Sequence, residues 1–157
     1  MMETSKKKST SELEEILGKT HPNNIGEFIT DNKESLLDSD RPFYNYYRKL
    51  VKDKKKKLQD IFLQADIPEK YGYKLVSGEK RTKQRDVIIR LLYSAELSLD
   101  EAQEGLKIYG MPQLYAKVPR DALLMVCFNE RPGSVIDVNS CLSENKMEPL
   151  RNSGYQE

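Results

Sequence analysis

Residues Leu58 to Arg85, LQDIFLQADIPEKYGYKLVSGEKRTKQR, constrain the fold more than any other part of the chain. Leu58, Ile61, Phe62 and Ala65 fall at i, i+3, i+4 and i+7, the apolar face of a helix about two turns long. Asp66-Ile67-Pro68 interrupts that period. Pro68 has no N–H to offer an i−4 carbonyl, yet it suits the first turn of a new helix, where that donor is unpaired in any case. The spacing therefore predicts a second short helix from Glu69 to Ser77. Gly78 stops it, because glycine most easily takes the left-handed conformation just past a helix end. Ile67 and Leu75 are expected in the core, linking the two helices. A cationic exit, Glu79-Lys80-Arg81-Thr82-Lys83-Gln84-Arg85, follows.

The chain of 157 residues carries 26 basic and 25 acidic side chains, and that near-neutral total conceals a segregation. Met1 to Asp40 holds five basic and nine acidic residues, Arg41 to Arg90 fifteen and six, and Leu91 to Glu157 six and ten. The cationic middle third contains the two-helix stretch. Lys and Arg gathered on one segment are the electrostatic footprint of a phosphate-binding face. A solvated helix surface is the alternative reading of the same charges. Two short helices at a fixed angle with a basic border have the geometry that seats one helix in the major groove of DNA.

A chain of this length buries one real core and a small appendage. Ser11 and Glu14 offer a capping box for a first helix with Leu13, Ile16 and Leu17 on one face. A weaker second helix is expected from Ile25 to Leu37. Asp38-Ser39-Asp40 supplies caps ahead of Pro42, and Phe43, Tyr46, Tyr47, Leu50 and Val51 then form an amphipathic stripe. Those tyrosines could stack on bases, but helical spacing favours the core. Lys52 and Lys54 to Lys57 make a cationic link, lying along phosphates or simply solvated. Beyond the central stretch, Thr82 is expected to cap a helix with Val87, Ile88, Leu91, Leu92 and Ala95 inward. Ser98 with Glu101 caps the next one, which carries Leu99, Ala102, Leu106 and Tyr109 and ends at Gly110. Pro119 opens a further helix with Ala122, Leu123, Val126 and Cys127 inward. Ser134 caps a last helix bearing Val135, Val138 and Leu142, and Arg151 to Glu157 is expected to lack order.

No catalytic constellation is visible, so the chain reads as a non-enzyme. His21 lies alone in a polar loop, far in sequence from Cys127 and Cys141, and neither cysteine has a second ligand at metal spacing. The glycines are isolated and form no phosphate loop. No cofactor and no metal are expected. No apolar run approaches the ~20 residues of a membrane span, and buried free thiols fit a reducing cytoplasm.

The run Ile61-Phe62-x3-Asp66-Ile67-Pro68-x5-Lys74-Leu75-x-Ser77-Gly78-x-Lys80-Arg81 resembles the Cro and phage-repressor (XRE) helix-turn-helix family. Val87-Ile88-Ile89-x-Leu91-Leu92 and Leu97-Ser98-Leu99-Asp100-Glu101-Ala102 extend the resemblance, without a gap, over about Leu58 to Ala102. Phe62 stands where the family has a small Ala, Asp66 at its turn Gly, Gly72 at its core aliphatic, Val76 at a polar position and Leu58 where a DNA-contacting Gln often sits. The resemblance implies an all-α fold: a five-helix lambda-repressor-like helix-turn-helix domain over residues 41–112. A polar tail and helical arm (1–40) precede it, and a two-helix extension with a disordered tail (113–157) follows.

The same resemblance implies a bacterial, cytoplasmic, sequence-specific regulator whose partner is double-stranded DNA. Its contacts would come from Glu69, Lys70, Tyr71, Tyr73 and Lys74 on the reading helix, with Arg81, Lys83 and Arg85 as backbone clamps. A homodimer fits a palindromic site, and the N-terminal arm or C-terminal extension is open to a protein partner. The alternative is a degenerate helix-turn-helix adaptor that exchanged DNA for a protein; Leu58, Glu69 and Gly72 support it. Gly72 costs about 1 kcal/mol relative to Ala inside a helix. The expected reason for it is room for the bulky Phe62, a small residue answering a large one.

Overall fold

The computed structural model describes residues 8–32, 36 and 41–152. Among them the regular structure is all α: nine helices and a 3-10 turn at Pro22–Asn24, with no strand. The chain divides into two compact units, 1–39 and 40–157.

The first unit holds α1 (Thr10–Leu17) and α2 (Ile25–Asp31). The capping box of α1 forms at Ser9 and Glu12, two residues before the expected pair: Ser9 Oγ accepts from Glu12 N, and Ser9 N donates to Glu12 Oε1, both at 3.2 Å. Ser9-x-x-Glu12 and Ser11-x-x-Glu14 are equally good boxes by spacing, and the earlier one lets the helix gain backbone bonds. Helix α2 ends at Asp31 rather than Leu37. Asn32 closes it, its backbone N and its Nδ2 both donating to Phe28 O, at 3.0 and 2.9 Å. Leu37 and the expected Asp38-Ser39-Asp40 caps lie outside the described residues.

The second unit comprises α3 (Pro42–Asp53), α4 (Leu58–Ala65), α5 (Glu69–Ser77), α6 (Arg85–Ser94), α7 (Leu99–Tyr109), α8 (Pro119–Glu130) and α9 (Val135–Glu144). Its axis is α6, in which every residue from Val87 to Ser94 is buried; Ala95, just beyond it, is buried too. A helix buried all round must be covered on every side, and α4, α7 and α9 pack against it, while α3 packs on α5 and α7. The one charged residue within that buried run is Arg90. It donates to Ala65 O at 2.9 Å, Leu150 O at 2.7 Å and Arg151 O at 2.6 Å, tying the end of α4 and the C-terminal segment to the axis. Arg151 N also donates to Asp86 Oδ2 at 3.0 Å, so Arg151 is held where sequence alone suggested no order. Residues 153–157 lie outside the described set.

Two further expectations shift. Thr82 does not cap α6, which starts at Arg85 with Gln84 before it; Thr82 Oγ1 instead accepts from Gln84 N at 2.9 Å in a turn, and its own N donates to Tyr109 Oη at 3.0 Å. Helix α8 is rotated from its expected face: Asp121, Leu124, Cys127 and Phe128 are buried, while Val126 is 52 % exposed. The cause is electrostatic. Asp121 turns inward to pair with Arg85, Nη2 to Oδ1 at 2.5 Å, and next to it Arg120 pairs with Asp86 at 2.9 Å, a charge-reversed double clasp between the first turns of α6 and α8.

The corner between α4 and α5 carries the site. Asp66 sits in the left-handed region (φ 56°, ψ 50°), where short polar residues are tolerated, and Ile67 N donates to Phe62 O at 3.0 Å. Gly78 ends α5 in the same region (φ 88°).

Candidate nucleic-acid interface

One side of α5 is anchored and the other faces solvent. Gly72, Leu75 and Val76 are buried. Gly72 lies flat against the Phe62 ring: a Cβ built there would fall 2.6 Å from Phe62 Cδ1, closer than carbon atoms approach without something moving. Glu69, Lys70, Tyr73 and Lys74 are exposed along one stripe, with Tyr71 partly covered on the flank. Tyr73 is not loose. Its ring meets Phe62 edge-on at 5.0 Å, so the residue that seats α5 also orients an aromatic on the outer face.

The basic residues after α5 fare differently from one another. Lys83 is exposed. Arg81 donates from Nη2 to Tyr109 O at 2.5 Å and stacks 4.4 Å above the Tyr109 ring, a cation at the carbonyl end of α7. Arg85 is committed to Asp121, with further bonds from Nη1 to Pro112 O and Gln113 O at 3.3 Å. Of the lysines before α4, Lys54 pairs with Glu101 at 3.1 Å and Lys56 with Glu96 at 2.5 Å. The Lys56 ammonium holds the Glu96 carboxyl below its ordinary pKa. Burial pushes Glu101 up, but the Ser98 N–H and Lys54 outweigh it and the net direction is down.

The tyrosines of α3 divide by helical phase. Tyr47 is fully buried and donates to Leu91 O at 2.7 Å, and Tyr46 donates to Glu101 O at 2.9 Å. Burial, then the Glu101 and Glu104 charges, push the Tyr46 phenol up to about 12. These two are packing residues. Tyr44 is only partly buried, packed on the core on one side and open to solvent on the other.

Sequence reasoning passed over the outer stripe of α3. Arg41, Tyr44 and Arg48 fall at i, i+3 and i+7, the complement of the inward Phe43, Tyr47 and Val51. They form one wall of a groove of about 500 Å³ whose other wall is Lys70, Tyr73, Lys74 and Ser77, with Leu58 and Val76 also lining it. The Arg41 guanidinium lies 4.0 Å over the Tyr44 ring and that of Arg48 5.9 Å from it. Four cations thus line a groove with one carboxylate, Glu79, which lies 3.7 Å from Lys74. Both members of that pair are well exposed, so it holds little energy.

Elsewhere the chemistry is sparse. Cys127 and Cys141 are free thiols, the former pushed up to about 11 by burial and then by its neighbour Cys141, which makes it a poor nucleophile. Among the described residues no His, Cys, Asp and Glu cluster could hold a metal ion, and no helix is long and apolar enough to cross a membrane. No protein-family model, curated protein or solved structure matches this chain.

Proposed function

We propose that α3 to α7 are a lambda-repressor-like helix-turn-helix domain of Cro/phage-repressor type. In this reading α5 enters the major groove, and the protein is a cytoplasmic, sequence-specific regulator of double-stranded DNA. The observation that carries the reading is the single solvent face of α5, where Lys70, Tyr73 and Lys74 project outward while Gly72 and Leu75 fasten the opposite side. Lys70 and Lys74, one turn apart, reach guanine or phosphate oxygens. Tyr73 touches a thymine methyl or donates to phosphate, as does Tyr71, and Glu69 accepts from a cytosine N4 amine. Lys83 and Arg81 border the reading helix as backbone contacts.

A second reading keeps the fold and replaces DNA with a protein partner. It is favoured by Leu58, which is buried at the position where the resemblance expects a DNA-contacting glutamine. A salt titration of duplex binding separates the two. Contact with several phosphates gives a steep linear fall of log K with log salt, and the Lys70→Ala, Lys74→Ala double variant weakens binding. Salt-insensitive or absent duplex binding by the full chain leaves the adaptor.

A further inference from the structure

The outer stripe of α3 faces the reading helix across a groove, and the two walls repeat one chemistry. From the N-cap of α3 onward the order is basic, aromatic, basic: Arg41, Tyr44, Arg48. On α5 it is Lys70, Tyr73, Lys74. The apolar Leu58 and Val76 lie between them. We propose that this groove grips a single phosphodiester strand of the bound nucleic acid. Arg41 and Arg48 are then phosphate contacts, and Tyr44 is the platform that holds both guanidiniums.

Charge selects the occupant. Four cations against one carboxylate, itself beside Lys74, leave a net positive trough that a polyanion neutralises by displacing counterions. The geometry fits a strand with charges at intervals: the cations stand on both walls rather than in one cluster, and the floor between them is apolar, suited to sugar. Planar guanidiniums bind phosphate by paired N–H donors, which ammonium groups cannot reproduce. Stacking on Tyr44 restricts the Arg41 fork before any ligand arrives, so less side-chain entropy is lost on binding. Glu69, the acidic residue of the exposed α5 stripe, does not line the groove. The strand therefore passes on the α3 side of α5, away from that carboxylate. The trough also supplies clamps that Arg85 cannot, since Arg85 is spent on Asp121.

This assignment rests on the duplex-binding reading, and its test keeps the two apart. The full chain and its Arg41→Ala, Arg48→Ala and Lys49→Ala variants are titrated with salt against a fluorescein-labelled duplex of mixed sequence, followed by anisotropy. Lys49 is an exposed cation of the same helix that does not line the groove, so it controls for general charge. The expected result is a salt slope about one unit shallower for each arginine variant, with affinity lost equally on all duplex sequences, and a smaller change for Lys49→Ala. All three replaced residues are exposed, and far-UV circular dichroism checks that the helices persist. If wild type binds with a steep slope and the arginine variants match Lys49→Ala, the groove assignment is wrong and the DNA reading stands. If wild type shows no salt-dependent duplex binding, or the groove instead captures a polyglutamate peptide that the arginine variants release, both are wrong.

Discussion

Gly72 of α5 lies directly against the ring of Phe62 on α4, so near that a methyl group on Gly72 would sit 2.6 Å from Phe62 Cδ1. A large side chain on one helix is met by none on the other, and this contact sets how closely and at what angle the two helices approach. The same ring stands nearly perpendicular to that of Tyr73, with centroids 5.0 Å apart, so the angle also fixes an aromatic on the solvent side.

Gly72→Ala should therefore destabilise the fold, against helix propensity. Propensity alone favours the alanine by about 1 kcal/mol, whereas forcing an extra methyl into a filled core costs about 1–3 kcal/mol. Urea unfolding should show a lower midpoint for Gly72→Ala. Adding Phe62→Leu should cost less in that background than in wild type, because the two residues share one space. A Gly72→Ala variant more stable than wild type would mean the helices can part without cost.

The double clasp between α6 and α8 makes the C-terminal hairpin part of the core. Asp121 is 3 % exposed, and Arg85→Ala leaves its carboxylate with little but the Tyr115 N–H at 3.0 Å. Removing one partner of a buried pair costs about 3–5 kcal/mol, and Arg85→Ala should lose stability near the lower end, Arg85 being less deeply buried. Thermal unfolding of this variant measures it. A neutral result would mark the pair as a surface contact.

Arg90 makes a second such claim. Deleting residues 150–157 removes the buried Leu150 and two of the three carbonyls that satisfy the Arg90 guanidinium. The truncated chain should lose about 3 kcal/mol or more. Arg90→Met should recover part of that loss in the truncated chain, since an apolar side chain needs no acceptor. Calorimetry on the pair of truncated proteins decides it.

Acid should weaken the corner where α6 meets α7. Glu96 and Glu101 both titrate below their ordinary value of 4.5, Glu96 through Lys56 and Glu101 through Ser98 and Lys54 against its burial. A depressed folded-state pKa means the unfolded chain binds the proton first. The associated stability is present above about pH 4.5 and is lost as pH falls through the folded values. Lys56→Met should flatten that acid limb in a urea series by lowering stability modestly near neutrality while leaving it little changed in acid. An unchanged limb would show that Lys56 does not hold Glu96 in solution.

Local punctuation made much of this architecture readable. Pro68 and Gly78 bracket α5, the Ser98–Glu101 box opens α7, and Ser134 opens α9. The spacing of Val87, Ile88, Leu91, Leu92 and Ala95 marks one inward face of α6, though not that the helix is buried all round. Phase failed where a long-range partner decides it. Nothing near Asp121 says that an aspartate will point inward; its reason is Arg85, thirty-six residues earlier. Arg85 in turn looked like one more cation in a basic run, because ion pairing across elements is invisible to spacing. The stripe Arg41, Tyr44, Arg48 was present at helical intervals. Spacing alone does not separate it from the inward tyrosines of the same helix, because the groove it borders exists only once α5 is in place.

The claim that orders all of this is that the outer face of α5 recognises base edges of duplex DNA. Its most direct test is repeated selection of bound duplexes from a random-sequence pool by the full chain, with the Lys70→Ala, Lys74→Ala variant run alongside. The account predicts that wild type enriches one recurrent sequence and that the variant does not. A pool that stays random after selection by wild type would contradict it.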